Sequence, residues 1–221
     1  TLRNAGADIR NANSATLTLT GGITSAFNRS LNFVTNAIIN TTPITIGTGV
    51  LGFQAGANQL NVAGNTYGQL NLGWNGVLTL GVSNALAGTA NVTFGGNNLT
   101  NNAFTLSLNG TNQTSSGLAQ DSTWAVTDGQ NQNVTGGGVL TVNQTSNQTF
   151  GGVIAGSGAL TKIGANTLTL NGTNTFTGTT TINEGNLSIS GGSAIADSGT
   201  VTLANTAGVG FNLNSSETIA S

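Results

Sequence analysis

Apolar and small polar residues alternate almost one for one along this chain. The pattern is plain in ATLTLT (15–20), PITIGTGVLGF (43–53), QLNLGW (69–74), GVLTLG (76–81) and FTLSLNG (104–110). It continues in GVLTVN (138–143), NTLTLNG (166–172), GNLSISG (185–191) and GTVTLAN (199–205). A period of two belongs to a strand, whose successive side chains point to opposite faces. Each run offers two or three apolar residues to one side and Thr, Ser or Asn to the other. Asn or Gly then closes the run, as strand ends and turns require. No capped stripe at i, i+3, i+4, i+7 is sustained, so helix is not expected. The chain reads as all-β.

The runs come about every ten residues, a spacing shared by sandwiches, barrels and solenoids. The unchanging Asn/Gly turn chemistry and internal similarity favour the solenoid. TFGG at 93–96 returns at 149–152, and LNGTN at 108–112 returns at 170–174. The longer stretch from Leu99 aligns with the one from Leu160 after a one-residue gap. The expectation is a repeat architecture, a parallel β-solenoid with about 20–25 residues per coil, extending over 1–221 as one unit. Apolar residues of successive coils then stack inward, because one coil cannot bury its face alone. Outward Thr and Asn form ladders of like residues. Such a stack has no side edges but two open ends, which invite continuation or self-association.

Composition narrows the function classes. Only 5% of the 221 residues are charged, against about 25% in average soluble domains. Neutral polar side chains supply the surface instead. No window approaches the roughly 20 consecutive apolar residues of a membrane-spanning helix, so this segment is not expected to be membrane-embedded. Arg3, Arg10, Arg29 and Lys162 are the four basic residues, too few for a nucleic-acid stripe. One proline and a net charge of -2 set the chain apart from disordered sequences. Starting at Thr1 and ending in TIAS, it reads as part of a longer or processed product.

Candidate chemistry is sparse. Without His or Cys, triads, disulfides and the usual zinc sites are excluded. The six acids are scattered. Asp121 and Asp128, flanking STWAVT, are the one pair close enough to meet across a turn, as a glycan-cleaving pair of carboxylates would. The competing reading makes them solvated turn residues. GGSAIADSG (191–199) is a single echo of a calcium-binding repeat. No catalytic, metal or cofactor site is expected, and no enzymatic activity. Tyr67, Trp74 and Trp124 are candidate surface contacts for a sugar ring or a protein partner. The competing reading places each in the core at a coil corner; Phe150 and Phe176, inside repeat units, are expected core. Sequons such as Asn28, Asn91 and Asn143 read as turns.

The last third of the chain carries a more specific signature. GSGALTKIG (156–164), NTLTLNGTNTFTG (166–178) and TTTINEGNLSISGGSAIADSGTVTL (179–203) resemble the passenger-associated transport repeat, or autotransporter-associated β-strand repeat. In that family a GxGxLTKxG opening precedes a TLxL strand, an Asn-Thr-aromatic-Thr-Gly turn and TxIxxGxL. Lys162 matches the family's lysine, Phe176 its aromatic, and Glu184 precedes its glycine; Asn166 stands where the family prefers glycine. The resemblance covers 156–221, while 1–155 carry degenerate strand repeats. It implies a bacterial chain that crosses the outer membrane, folds outside as a right-handed β-helix and precedes a membrane β-barrel.

The expected function is therefore that of a non-catalytic extracellular segment of a surface protein, a stalk or adhesin with a glycan or host-surface ligand. The alternative is a subunit that stacks end to end through its coil ends into a filament or sheath.

Overall fold

The computed structural model describes residues 7–9, 16–24, 30–34, 36–40, 42–73, 75–95, 103–120, 132–190, 194–195 and 199–219. These residues form strands and turns, with no helix among them. Every paired ladder is parallel. The strands stack as a β-solenoid of about eight turns.

Each coil visits three faces in turn. Leu31–Phe33, Val50–Phe53, Gln69–Leu72 and Asn91–Phe94 belong to the first face, in a six-stranded sheet that ends at Gly117–Gln120. The first face continues in a four-stranded sheet of Gln148–Phe150, Thr167–Leu170, Asn186–Ile189 and Gly210–Leu213. The second face is one eight-stranded ladder from Leu17–Leu19 to Thr175–Phe176. The third includes Gln113–Ser115, Val139–Asn143, Ala159–Ile163, Thr180–Ile182 and Val201–Leu203.

Register follows the alternation. Leu140 pairs with Leu160, Leu168 with Leu187 and Leu51 with Leu70. All six side chains are buried. Burial of each contributes about 1.5–3 kcal/mol, and a parallel stack collects this on every coil. Phe33 and Phe53 stack with ring centroids 5.2 Å apart. The outward positions carry the expected ladder of like residues: Thr114, Thr141, Thr161, Thr181 and Thr202 follow one another on consecutive rungs.

Most coils advance 20 or 21 residues, as in Gly56↔Gly76 and Leu140↔Leu160. Two central coils take 28, with Gly76 facing Phe104 and Thr105 facing Asn133. The internal repeats divide on this frame. Phe94 and Phe150 both close first-face strands, and their rings lie 5.3 Å apart. The two LNGTN stretches are not equivalent, however. The first follows the second-face strand Phe104–Ser107, the second the first-face strand Thr167–Leu170. Asn109 and Gly110 take φ of 50° and 77°, whereas Asn171 and Gly172 stay out of the left-handed region. The same letters thus build different corners, so this part of the expected repeat alignment is corrected. Turn chemistry, and not coil position, produced the similarity.

At several corners a buried amide takes the place of a peptide group. Asn65 Oδ1 accepts from Ile44 N at 2.8 Å while its Nδ2 donates to Ala85 O at 2.8 Å. Asn174 repeats this device, accepting from Ile154 N at 2.7 Å and donating to Ala194 O. Gln113 accepts from Leu86 N at 3.0 Å and donates to Val82 O at 2.8 Å. A primary amide offers both an acceptor and donors, so it carries the ladder through a corner where buried backbone groups would lose a partner.

Candidate functional site

Two places on the solenoid combine polar chemistry with defined geometry. The first surrounds Lys162. Alternation along Ala159–Ile163 sends Leu160 and Lys162 inward, and Lys162 takes the rung between Val142 and Ile182. Its side chain is fully buried, at 0% exposure. Nζ donates to Ile163 O at 2.8 Å, Gly164 O at 2.6 Å and Glu184 O at 3.0 Å. Those bonds use all three ammonium hydrogens. Gly164 N in turn donates to Glu184 Oε2 at 2.9 Å.

The close approach of the two corners requires glycine. Gly164 and Gly185 have φ of 78° and 61°, and a Cβ on Gly185 would stand 2.4 Å from Gly164 O. Burial pushes Lys162 down from its ordinary 10.5 to about 8, and the Glu184 carboxylate opposes that shift. At neutral pH the amine is charged and every hydrogen is engaged. It fastens two coils together.

The second place is a cleft of about 560 Å³ between the end of Gly117–Gln120 and the strands Gln148–Phe150 and Thr167–Leu170. The six-stranded ladder stops here and the four-stranded one begins. Gln120, Asn147, Gln148, Thr149, Thr167 and Thr169 line it. Gln144 Nε2 donates to Gln148 Oε1 at 2.9 Å, and Thr167 N donates to Asn147 Oδ1 at 2.8 Å. Two of the three lining amides are thereby held through their oxygens, which leaves their NH₂ groups as donors.

Tyr67 is corrected as a surface contact. It is buried at 1% exposure, and its hydroxyl accepts from Ala87 N at 3.1 Å. The ring fills the core at a corner while the oxygen serves a backbone donor, the competing reading of the sequence. Burial raises its pKa well above the ordinary range. Phe150 and Phe176 are fully buried. Trp74, Trp124, Asp121 and Asp128 lie outside the described residues, as do six of the nine residues of GGSAIADSG. Sequence reasoning missed the buried roles of Asn65, Gln113 and Asn174. Lys162 was visible as a motif residue, but its inward direction follows only from its place in the alternation.

No curated protein and no solved structure matches the chain. A family model does, over residues 160–189, and its description is passenger-associated-transport-repeat. The match runs across five successive strands and contains both Lys162 and Glu184. Residues 160–189 thus match the passenger-associated transport repeat, the repeat that the sequence was expected to carry.

Proposed function

We propose that the chain is a non-catalytic segment of a bacterial autotransporter-like surface protein, acting outside the cell as a stalk or adhesin. The observation that carries this reading is the passenger-associated repeat at 160–189 within a parallel solenoid. The physics of the fold fits the role. Each coil buries its apolar side chains against its neighbours and pairs with them in parallel, so length is added without a new core. A surface of Thr, Asn and Ser keeps such a rod hydrated with little charge.

The test uses intact cells of a strain that expresses the whole gene product. An antibody against residues 160–189 in the folded chain is expected to label intact cells, and added protease to release the segment without lysis. Labelling that appears only after the cells are opened contradicts the reading.

A second reading, end-to-end assembly into a filament or sheath, is favoured by the last rungs. Leu203 and Leu213 pair with the buried Ile182 and Ile189, yet they are 44% and 50% exposed. Exposed apolar groups on a rung can seat a further coil, whether of the same chain or of a second copy. Sedimentation of the 221-residue chain decides: growth with concentration supports assembly, and a monomer at every concentration rejects it.

A further inference from the structure

We propose that the cleft at the ladder interruption binds a neutral oligosaccharide. The proposal rests on the adhesive form of the reading above and gives it a place and a ligand class. The cleft volume of about 560 Å³ falls within the range of about 300–1,000 Å³ found for small-molecule sites. Its described lining consists of two glutamines, an asparagine, three threonines and Ala119. No charged side chain is among these described residues, which favours a neutral ligand over a phosphate, a sulfate or a metal ion.

The polar groups are set in advance. Gln148 is held through Oε1 by Gln144, itself 1% exposed and fixed by a second bond from Nε2 to Ser146 O at 2.9 Å. Asn147 is held through Oδ1 by the Thr167 backbone. Each therefore presents NH₂ donors at little entropic cost. Thr149 and Thr169 are ladder partners, which puts two hydroxyls about one rung, ~4.8 Å, apart. Their β-branched side chains are stiff at χ1.

Amide donors with hydroxyls that donate or accept match the dense acetal and hydroxyl oxygens of a sugar. The threonine methyls and Ala119 offer small apolar contacts for its C–H faces. An apolar peptide side chain would need an apolar pocket, and the described lining supplies none.

The test is a ¹H–¹⁵N titration of the whole chain with neutral tetrasaccharides of glucose and of N-acetylglucosamine, with sialylated and sulfated oligosaccharides as charged probes. At least one neutral probe is expected to give saturable shifts at residues 147–149 and 167–169, the side-chain NH₂ groups of Asn147 and Gln148 included. Gln148→Ala removes a donor and Thr169→Val removes a hydroxyl while keeping shape. Each is expected to weaken binding about fivefold, the loss of one hydrogen bond. Thr105→Val, on the second face, is expected to leave binding unchanged. Circular dichroism confirms that each variant is folded, and Thr169→Val carries the test if Gln148→Ala is not. No saturable shift with any neutral probe, saturation at other residues, or preference for the charged probes overturns the proposal. Such a failure leaves the intact-cell labelling unaffected, so the two readings fail separately.

Discussion

Lys162 and Glu184, 22 residues apart and one coil removed, hold each other's corners: the lysine donates to the glutamate's carbonyl, and the glutamate's carboxylate accepts from Gly164 N beside the lysine. Both bonds run from the Lys162 corner to Glu184 across one rung. Neither corner is complete before the other coil is in place.

Lys162→Met tests this joint with little change in volume. It leaves Gly164 O and Glu184 O without the ammonium that serves them. A lost partner for a buried polar group costs about 1–3 kcal/mol, and chemical denaturation is expected to show a loss of that size. Lys162→Ala adds a cavity and is expected to be worse, by about 2–5 kcal/mol relative to the native chain. Glu184→Gln keeps an acceptor for Gly164 N and is expected to change stability by less than about 1 kcal/mol. A Lys162→Met variant as stable as the native chain would remove the joint from the account.

The same lysine sets a pH dependence. Its folded pKa is about 8, against 10.5 ordinarily. Between those values the unfolded chain binds more protons, so stability rises with pH across the window and is lowest below it. Denaturation midpoints of the native chain are expected to climb from pH 8 to about pH 9.5, and those of Lys162→Met to stay level. Above about pH 10 Tyr67 acts in the opposite direction. Its buried hydroxyl stays neutral in the fold, ionisation favours the unfolded chain, and stability falls. Equal slopes for the two proteins below pH 9.5 would count against the buried ammonium.

Asn174→Asp tests the amide relay. The carboxylate keeps an acceptor for Ile154 N and loses the donor to Ala194 O. It also places a charge in a site only 2% exposed. The expected loss is about 3 kcal/mol at neutral pH, shrinking as the carboxyl is protonated in acid. Asn65→Asp, in the same arrangement 109 positions earlier, is expected to behave alike. Ordinary turn asparagines would show neither effect.

Much of this architecture was legible because one rule governs the whole chain. Leu140, Leu160, Leu168 and Leu187 could be assigned inward, and Thr141, Thr161 and Thr181 outward, from period two alone. The parallel stack followed from the uniform turns. Corner geometry did not follow. Both LNGTN stretches read as one repeat, yet Gly110 adopts a left-handed conformation and Gly172 does not, because a turn's shape depends on which two faces it joins. Asn65 and Asn174 read as turn residues, since composition does not say which way an amide points. Tyr67 was a candidate surface contact whose competing reading, a core residue at a coil corner, was the favoured one, and the residue is buried. The cleft was invisible in the sequence. Gln120 and Gln148 are 28 positions apart, and they meet only because one ladder stops between them.

The solenoid rests on coils that meet in register, and a distance across several of them tests this most directly. Thr141 and Thr202, three rungs apart through Thr161 and Thr181, stand about 14 Å apart at ~4.8 Å per rung. The chain has no native cysteine, so Thr141→Cys and Thr202→Cys take spin labels without interference. A single narrow dipolar distribution, near that separation after allowance for the label arms, is the predicted result. A broad distribution centred well beyond it would show that the coils do not stack, and the solenoid, the joint and the cleft would fall together.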